Sequence, residues 1–151
     1  MIYVECKPDK ILVHVLTNKT PDEIEHCGGK SEVLNKLKIT KESIGIIDED
    51  PESLSLYQLI KNFKLIKHQH SLKLYSDENK NKIIVICPRL EDWIIEISIQ
   101  EDIKLSNYNL PEDSNTFHKI INFNISKFQM LLQRLAKSKN ERLSTLKEFI
   151  K

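Results

Sequence analysis

The sequence predicts an α/β fold, with a mainly parallel β-sheet flanked by helices and a helical extension at the C-terminal end. Between residues 2 and 48, short segments typical of strands alternate with segments of helical spacing. Such alternation requires crossover connections and therefore parallel strands. The run at residues 44–47 contains no polar side chain, as in a strand covered on both faces. Beyond residue 117 the apolar residues recur at helical spacing.

Three short strands are predicted before residue 50, at 2–5, 23–27 and 43–48. They are β-branched or apolar runs, and the second ends in a tight Gly-Gly turn at Gly28. A helix over residues 8–17 joins the first two strands, because Pro8 suits its first turn and Asp9 its positive N-terminal end. A second helix is predicted over residues 30–39, where the apolar side chains share one face.

The next segments predict one helix, two strands and a further helix, at 53–63, 65–75, 81–88 and 89–99 respectively. The first of these strands shows alternating polarity, and the hydrophilic residues 77–81 predict a hairpin turn between the two strands. The last third of the chain predicts three helices, at 117–123, 126–137 and 140–150. Ser126 is the predicted cap of the second of them.

Length and composition bound the domain organisation. The chain has 151 residues, of which 40% are hydrophobic and 30% charged, an ordinary globular composition. We expect an α/β domain at residues 1–110 and C-terminal helices at residues 111–151, packed on that domain or on a partner. Residues 126–151 carry seven basic and two acidic side chains within a net charge of +1. This asymmetry favours a polyanion contact only mildly, since a solvated basic face produces it more often.

Cysteine usage and hydropathy indicate the compartment. The three cysteines have no CxxC spacing, so no disulfide framework is predicted. The N-terminal residues lack the pattern of a secretory signal, and no apolar run approaches the roughly 18 residues of a membrane span. These observations predict a cytoplasmic protein that has no membrane partner.

Acidic residues follow two of the predicted strands. Glu5 ends the first strand, and Asp48 and Asp50 end the third, so all three are expected at the edge where ligand sites gather in such sheets. If the backbone stays extended, Asp48 and Asp50 share one side and Glu49 points away. Converging carboxylates are the hard oxygen ligands that Mg²⁺ or Mn²⁺ prefers. Alone, the Asp-x-Asp pattern is explained equally well by a strand that runs out into solvent; Glu5 shifts the balance towards a metal site.

These residues carry a family resemblance. A strand that ends in Glu5, Asp9 four residues later, the Gly28 turn and a hydrophobic strand that ends in Asp48 and Asp50 resemble the Toprim domain. This domain is shared by topoisomerases, bacterial primases and nucleases, including those of the overcoming-lysogenization-defect type, to which the chain is most similar. The resemblance covers about the first two thirds of the chain. It implies that Glu5 binds metal or transfers a proton, and that the two aspartates hold Mg²⁺ against a scissile phosphate.

The resemblance also implies a wider set of site residues. It assigns catalysis to Glu5, Asp48 and Asp50, and metal binding to the same three with Asp9 and Glu91. Glu91 begins a helix after a strand, where the helix dipole alone explains an acid equally well. Lys7, Lys30 and Arg89 lie near the same predicted edge and are candidate phosphate ligands, although a solvated role is the more ordinary interpretation for the lysines.

Two function classes follow from the resemblance. The first is a Mg²⁺-dependent nuclease, or another phosphodiester-processing protein, that acts on nucleic acid. Because the chain has no nucleotide-binding loop, such a nuclease would work with a separate ATPase subunit, as split defence nucleases of this type do. The alternative is a non-catalytic Toprim-like module that binds metal or another protein.

Three further residues carry weaker hypotheses. The family usually has glycine after the glutamate, where this chain has Cys6. Nearby carboxylates are expected to raise the pKa of the Cys6 thiol and to weaken it as a nucleophile. His68 and His70 would share a face of the predicted strand, but no third metal ligand stands at a telling spacing.

Overall fold

The computed structural model describes residues 1–51 and 56–151 and confirms the α/β class. Within these residues six strands form one sheet: β1 (Ile2–Val4), β2 (Ile24–His26), β3 (Ile44–Asp48), β4 (Lys64–Gln69), β5 (Leu72–Ser76) and β6 (Lys82–Ile86). The strand order is β2-β1-β3-β6-β5-β4. β2, β1, β3 and β6 run parallel, and β5 runs antiparallel to both of its neighbours. The mainly parallel part of the sheet is therefore the part that contains the predicted acidic edge.

The described residues form seven α-helices: α1 (Lys7–Thr17), α2 (Lys30–Lys38), α3 (Leu56–Leu59), α4 (Leu90–Gln100), α5 (Ser114–Ile120), α6 (Ile125–Ala136) and α7 (Glu141–Ile150). Helices α2 and α3 cover one face of the sheet, and α1 and α4 to α7 cover the other. None of these helices combines the length and the apolar character needed to cross a membrane.

Burial on both faces explains the apolar character of β3. Ile46 belongs to the apolar cluster on the α1 side, and its neighbour Ile47 belongs to the cluster on the α2 side; each is 1% exposed. The C-terminal helices complete the first cluster, since Phe128 of α6 and Leu146 of α7 share it with Trp93 of α4. The apolar stripe predicted within residues 126–137 is thus buried in the cluster on the α1 face of the sheet.

One predicted strand is two strands. Residues 65–75 show continuous alternation, but they fold as the β4–β5 hairpin with a turn at His70 and Ser71. Both turn residues have positive φ, 54° and 61°, as a type I′ turn requires. A two-residue turn preserves the alternating pattern, and this turn contains neither Gly nor Asn, so the sequence gives no sign of it. The predicted turn at 77–81, between β5 and β6, is confirmed.

Two helix predictions need adjustment. Ser126 is not a cap, because α6 already begins at Ile125, with Asn124 in the capping position. The helix predicted over residues 53–63 is observed as α3, while residues 52–55, including Glu52, lie outside the described residues.

Gly45 of β3 is required by close packing of α2 on the sheet. A Cβ atom at this position would lie 2.9 Å from both Leu37 Cδ1 and Val33 Cγ1, whose side chains are themselves buried. We expect Gly45→Ala to lower the free energy of unfolding by about 1–3 kcal/mol, measured by urea denaturation, because the core would be overpacked. Gly29→Ala is the matched control, since its Cβ would meet nothing within 4 Å. Equal urea midpoints for the two variants would contradict this packing.

Candidate acidic site at the carboxyl edge of the sheet

Three adjacent parallel strands deliver acidic residues to one edge. Glu5 directly follows β1, Asp48 is the last residue of β3, and Glu91 lies in the first turn of α4, which follows β6. The register pairs Val4 with Ile46, and Asp48 with Ile86, the last residue of β6. The carboxyl ends of parallel strands meet at the same edge of a sheet, and the predicted placement of Glu5 and Asp48 at one edge is what the structure shows.

Glu5 is held by the backbone of the neighbouring strand. Its Oε1 accepts a hydrogen bond from the Asp48 N–H at 2.8 Å. Because β1 is last paired at Val4, the Glu5 side chain takes the place of a strand acceptor beyond that point. Burial raises the pKa of the Glu5 carboxyl, while the Asp48 N–H and then the Lys30 cation oppose the increase. The Glu5 side chain is therefore fixed in position, and its carboxylate is a stronger base than that of an exposed glutamate.

Asp9 lies inside the same cluster, in the first turn of α1. Its Oδ2 accepts hydrogen bonds from the Cys6 N–H at 3.2 Å and from the Cys6 Sγ–H at 3.1 Å. The residue is only 3% exposed, and burial, with a contribution from Glu5, raises its pKa to about 7. The other oxygen, Oδ1, is buried and has no hydrogen-bond partner among the described residues. Burial and the Asp9 charge likewise raise the pKa of the Cys6 thiol, in line with the expectation that it is a poor nucleophile.

Asp48 and Glu91 complete the cluster. Asp48 Oδ1 accepts a hydrogen bond from the Leu90 N–H at 3.2 Å, so the start of α4 is anchored on the end of β3. Burial first, and then the charges of Asp9, Glu5 and Glu91, raise the pKa of Asp48 well above its ordinary value. Glu91 is 4% exposed; its Oε1 lies 3.1 Å from His118 Nδ1, and its Oε2 is buried without a hydrogen-bond partner in the described part of the chain.

Asp50 lies at the rim rather than on an extension of β3. Its φ is +46°, so the strand geometry ends before this residue and the alternation argument does not extend to it. The Asp50 N–H donates to the Pro88 carbonyl at 2.8 Å, and the residue lines a pocket of about 230 Å³ with Arg89 and Asn115. Its charge nevertheless reaches the cluster, since it adds to the raised pKa of Glu5.

Glu49 points away from the cluster, as alternation predicts. Its Oε2 accepts a hydrogen bond from Tyr57 Oη at 2.5 Å and lies 3.4 Å from Lys73 Nζ. The Lys73 ammonium also donates to Tyr57 Oη at 2.7 Å. This three-residue contact joins α3 to β5, and sequence reasoning did not identify it because its members have no common motif.

The three predicted phosphate ligands have different surroundings. Lys30 donates to the Glu49 carbonyl at 3.3 Å, and its charge acts on Glu5. Arg89 forms hydrogen bonds with Asp92 at 3.0 Å and with Ser114 at 2.7 Å, so its guanidinium is engaged in joining α4 to α5. Lys7 is exposed to solvent.

Histidines contribute differently from the sequence expectation. His70 lies in the hairpin turn, where its Nδ1 is 2.7 Å from Thr145 Oγ1, while His68 is exposed on β4. His118 of α5, which the sequence did not single out, contacts Glu91 instead. A contact that spans 27 residues between two helices has no local sequence pattern that could reveal it.

The cluster has suitable donors for a metal but is not preassembled around one. In residues 1–51 and 56–151, no three His, Cys, Asp or Glu side chains form a group with metal-binding geometry. Two features nevertheless fit a hard cation: the donors are carboxylate oxygens, and two of these oxygens, on Asp9 and Glu91, are buried without a hydrogen-bond partner among the described residues.

Comparisons of this chain with protein-family models, with curated proteins and with solved structures found no match.

Proposed function

We propose that this protein is a Mg²⁺- or Mn²⁺-dependent, Toprim-like nuclease that acts on nucleic acid. The observation that carries the proposal is a pair of buried carboxylate oxygens, on Asp9 and Glu91, that have no hydrogen-bond partner within residues 1–51 and 56–151 and lie beside Glu5 and Asp48. A buried polar atom without a partner is costly unless a ligand satisfies it.

In this proposal Asp9, Asp48 and Glu91 hold the cation. Burial and the neighbouring acidic charges disfavour the charged forms of Asp9 and Asp48, whose pKa values are raised. A divalent cation would offset this effect. When bound, it would stabilise negative charge on the transferring phosphoryl group and lower the pKa of an attacking water.

Glu5 has the properties of the proton-transfer residue. Its carboxyl is oriented by the Asp48 N–H, and burial raises its pKa above the ordinary value. A carboxyl group whose pKa lies nearer to neutral pH is a better general base or acid. Asp50 and Lys30, at the edge of the cluster, would contact the nucleic acid or its counterions.

The alternative is a non-catalytic module that binds metal or another protein. Two observations favour it: the described carboxylates do not form a ready three-ligand group, and Cys6 already occupies Asp9 Oδ2. The separate ATPase subunit remains a prediction under either function.

The two functions are separated by measuring cleavage and metal binding in parallel. We expect cleavage of plasmid DNA, single-stranded DNA or structured RNA with Mg²⁺ or Mn²⁺, none with EDTA, and a large loss of rate in Glu5→Gln. The glutamine can still accept the Asp48 N–H, so the fold is preserved while proton transfer is lost. Metal binding by calorimetry without cleavage would support the alternative, and cleavage unaffected by Glu5→Gln would refute the site.

A further inference from the structure

A groove of about 280 Å³ runs along α1, beside the acidic cluster. Four of its lining side chains are lysines or histidines: Lys7, Lys10, His14 and His26. The remaining lining residues are apolar, and none of the described aspartates or glutamates lines the groove. Its charge complements a polyanion, in contrast to the carboxylates a few residues away.

The groove opens from the same edge of the sheet as the cluster. Lys7 follows Glu5 by two residues, at the start of α1. On the other side, His26 pairs with Val4 in the β1–β2 register, and the Gly28 N–H donates to the Glu5 carbonyl at 2.9 Å. A strand whose phosphate reached the cluster would therefore find the lysines next to it.

An exposed aromatic ring lies close to this groove in the chain. Phe123 is 86% exposed, the highest exposure among the large hydrophobic side chains of the described residues. It ends the 3₁₀ turn Ile121–Phe123, which contacts α1, and it precedes the groove residue Ile125 by two positions. Sites for single strands combine a basic groove with aromatic rings on which bases stack. A ring this exposed adds little to the core and is free to serve that purpose.

We propose that this groove, together with Phe123 two residues before its lining residue Ile125, binds single-stranded DNA. A duplex keeps its bases stacked on one another and offers none to the phenyl ring. Ile11, Pro21 and Ile125 offer a 2′-hydroxyl no hydrogen-bonding side chain, so a ribose packed against these three residues would lose hydration, which favours DNA over RNA. The inference rests on the proposed nuclease function and names its substrate, but the binding step needs no metal.

The test is fluorescence anisotropy with oligothymidylate of about 12 nucleotides, in EDTA and over a range of salt concentrations. We expect the double variant Lys7→Gln/Lys10→Gln to make the slope of log K against log salt shallower by roughly 1.4, since each lost phosphate contact removes about 0.7. Phe123→Leu is expected to weaken binding about fivefold or more at constant salt slope, because it removes stacking without charge.

The matched control is Lys38→Gln/Lys41→Gln, which removes the same charge near the start of β3, at the opposite end of the sheet. Equal salt slopes for the two double variants would refute DNA binding in the groove. Unchanged affinity in Phe123→Leu would refute the stacking role of Phe123. Tighter binding of oligouridylate or of duplex DNA would overturn the choice of single-stranded DNA.

Binding and cleavage fail independently in this design. Asp48→Asn is expected to bind oligothymidylate in EDTA at least as tightly as the unmodified protein, because the substitution can only lower the negative charge near the groove. DNA binding in the groove without any Mg²⁺-dependent cleavage would refute the nuclease alone. Cleavage that persists unchanged in the groove variants at low substrate concentration would refute the groove alone.

Discussion

Asp48→Asn is expected to reduce Mg²⁺-dependent cleavage at least about a hundredfold, because it removes a carboxylate from the centre of the acidic cluster. The asparagine oxygen can still accept the Leu90 N–H that Asp48 Oδ1 accepts at 3.2 Å, so the junction of β3 with α4 is preserved. Initial rates on single-stranded DNA, measured at saturating Mg²⁺, report the loss. The same variant is expected to be more stable than the unmodified protein in EDTA at pH 8, because burial and the neighbouring acids disfavour ionisation of Asp48 in the folded state.

Glu49→Gln is the matched control for this experiment. Glu49 is the next residue along the chain, but its side chain contacts Tyr57 and Lys73 rather than the cluster. The nuclease rate of Glu49→Gln is expected to stay close to that of the unmodified protein, although stability falls through loss of the ion pair. Similar rate losses in the two variants would show that any loss of acid at this edge impairs the protein, and the assignment of Asp48 would be wrong.

The stability of the metal-free protein is expected to fall as the pH rises from about 4 to 8. The pKa of Asp9 is about 7 in the folded protein, against an ordinary value of 3.8, so the folded state binds the proton more tightly than the unfolded state. The stability linked to this proton is fully present below about pH 4 and is lost as the pH rises through about 7, an effect on the order of a few kcal/mol. Asp48 and Glu5, whose pKa values are also raised, act in the same direction.

Divalent cations are expected to reverse this loss. Mg²⁺ should raise the thermal midpoint more at pH 8, where Asp9 is ionised, than at pH 5, where a proton holds the Asp9 carboxyl. Asp9→Asn, measured by urea denaturation, should flatten the pH dependence, whereas the control Asp22→Asn, at an exposed position, should leave it intact. A pH profile that is identical for Asp9→Asn and the unmodified protein would contradict the buried, proton-binding state of Asp9.

The position of Glu5 and Asp48 at one edge of the sheet was predictable from the sequence. Glu5 and Asp48 follow apolar runs that alternate with helices, and parallel strands necessarily bring their carboxyl ends together. Glu91, in the first turn after the last central strand, was a candidate through the Toprim resemblance, and the helix dipole explained it equally well. These predictions depend on short-range patterns and on topology, both of which the sequence contains.

Contacts between distant segments were beyond sequence reasoning. His118 reaches Glu91 only because α5 packs beside α4, and Lys73 reaches Glu49 only because the β4–β5 hairpin turns back at His70. The left-handed backbone at Asp50 also has no sequence sign, since aspartate adopts both extended and left-handed conformations. The lack of a hydrogen-bond partner for Asp9 Oδ1 and Glu91 Oε2 among the described residues results from tertiary packing, which the sequence does not show.

The packing of α6 and α7 on the sheet has a consequence for how the chain is made. Their buried residues Phe128, Leu132 and Leu146 share one apolar cluster with the strand residues Ile46 and Ile84. On the ribosome, the central strands emerge long before residues 125–150 that cover them. The apolar side chains on this face of the nascent sheet therefore remain exposed to water until residues 125–150 have emerged. We expect the chain to depend most on chaperones during that interval.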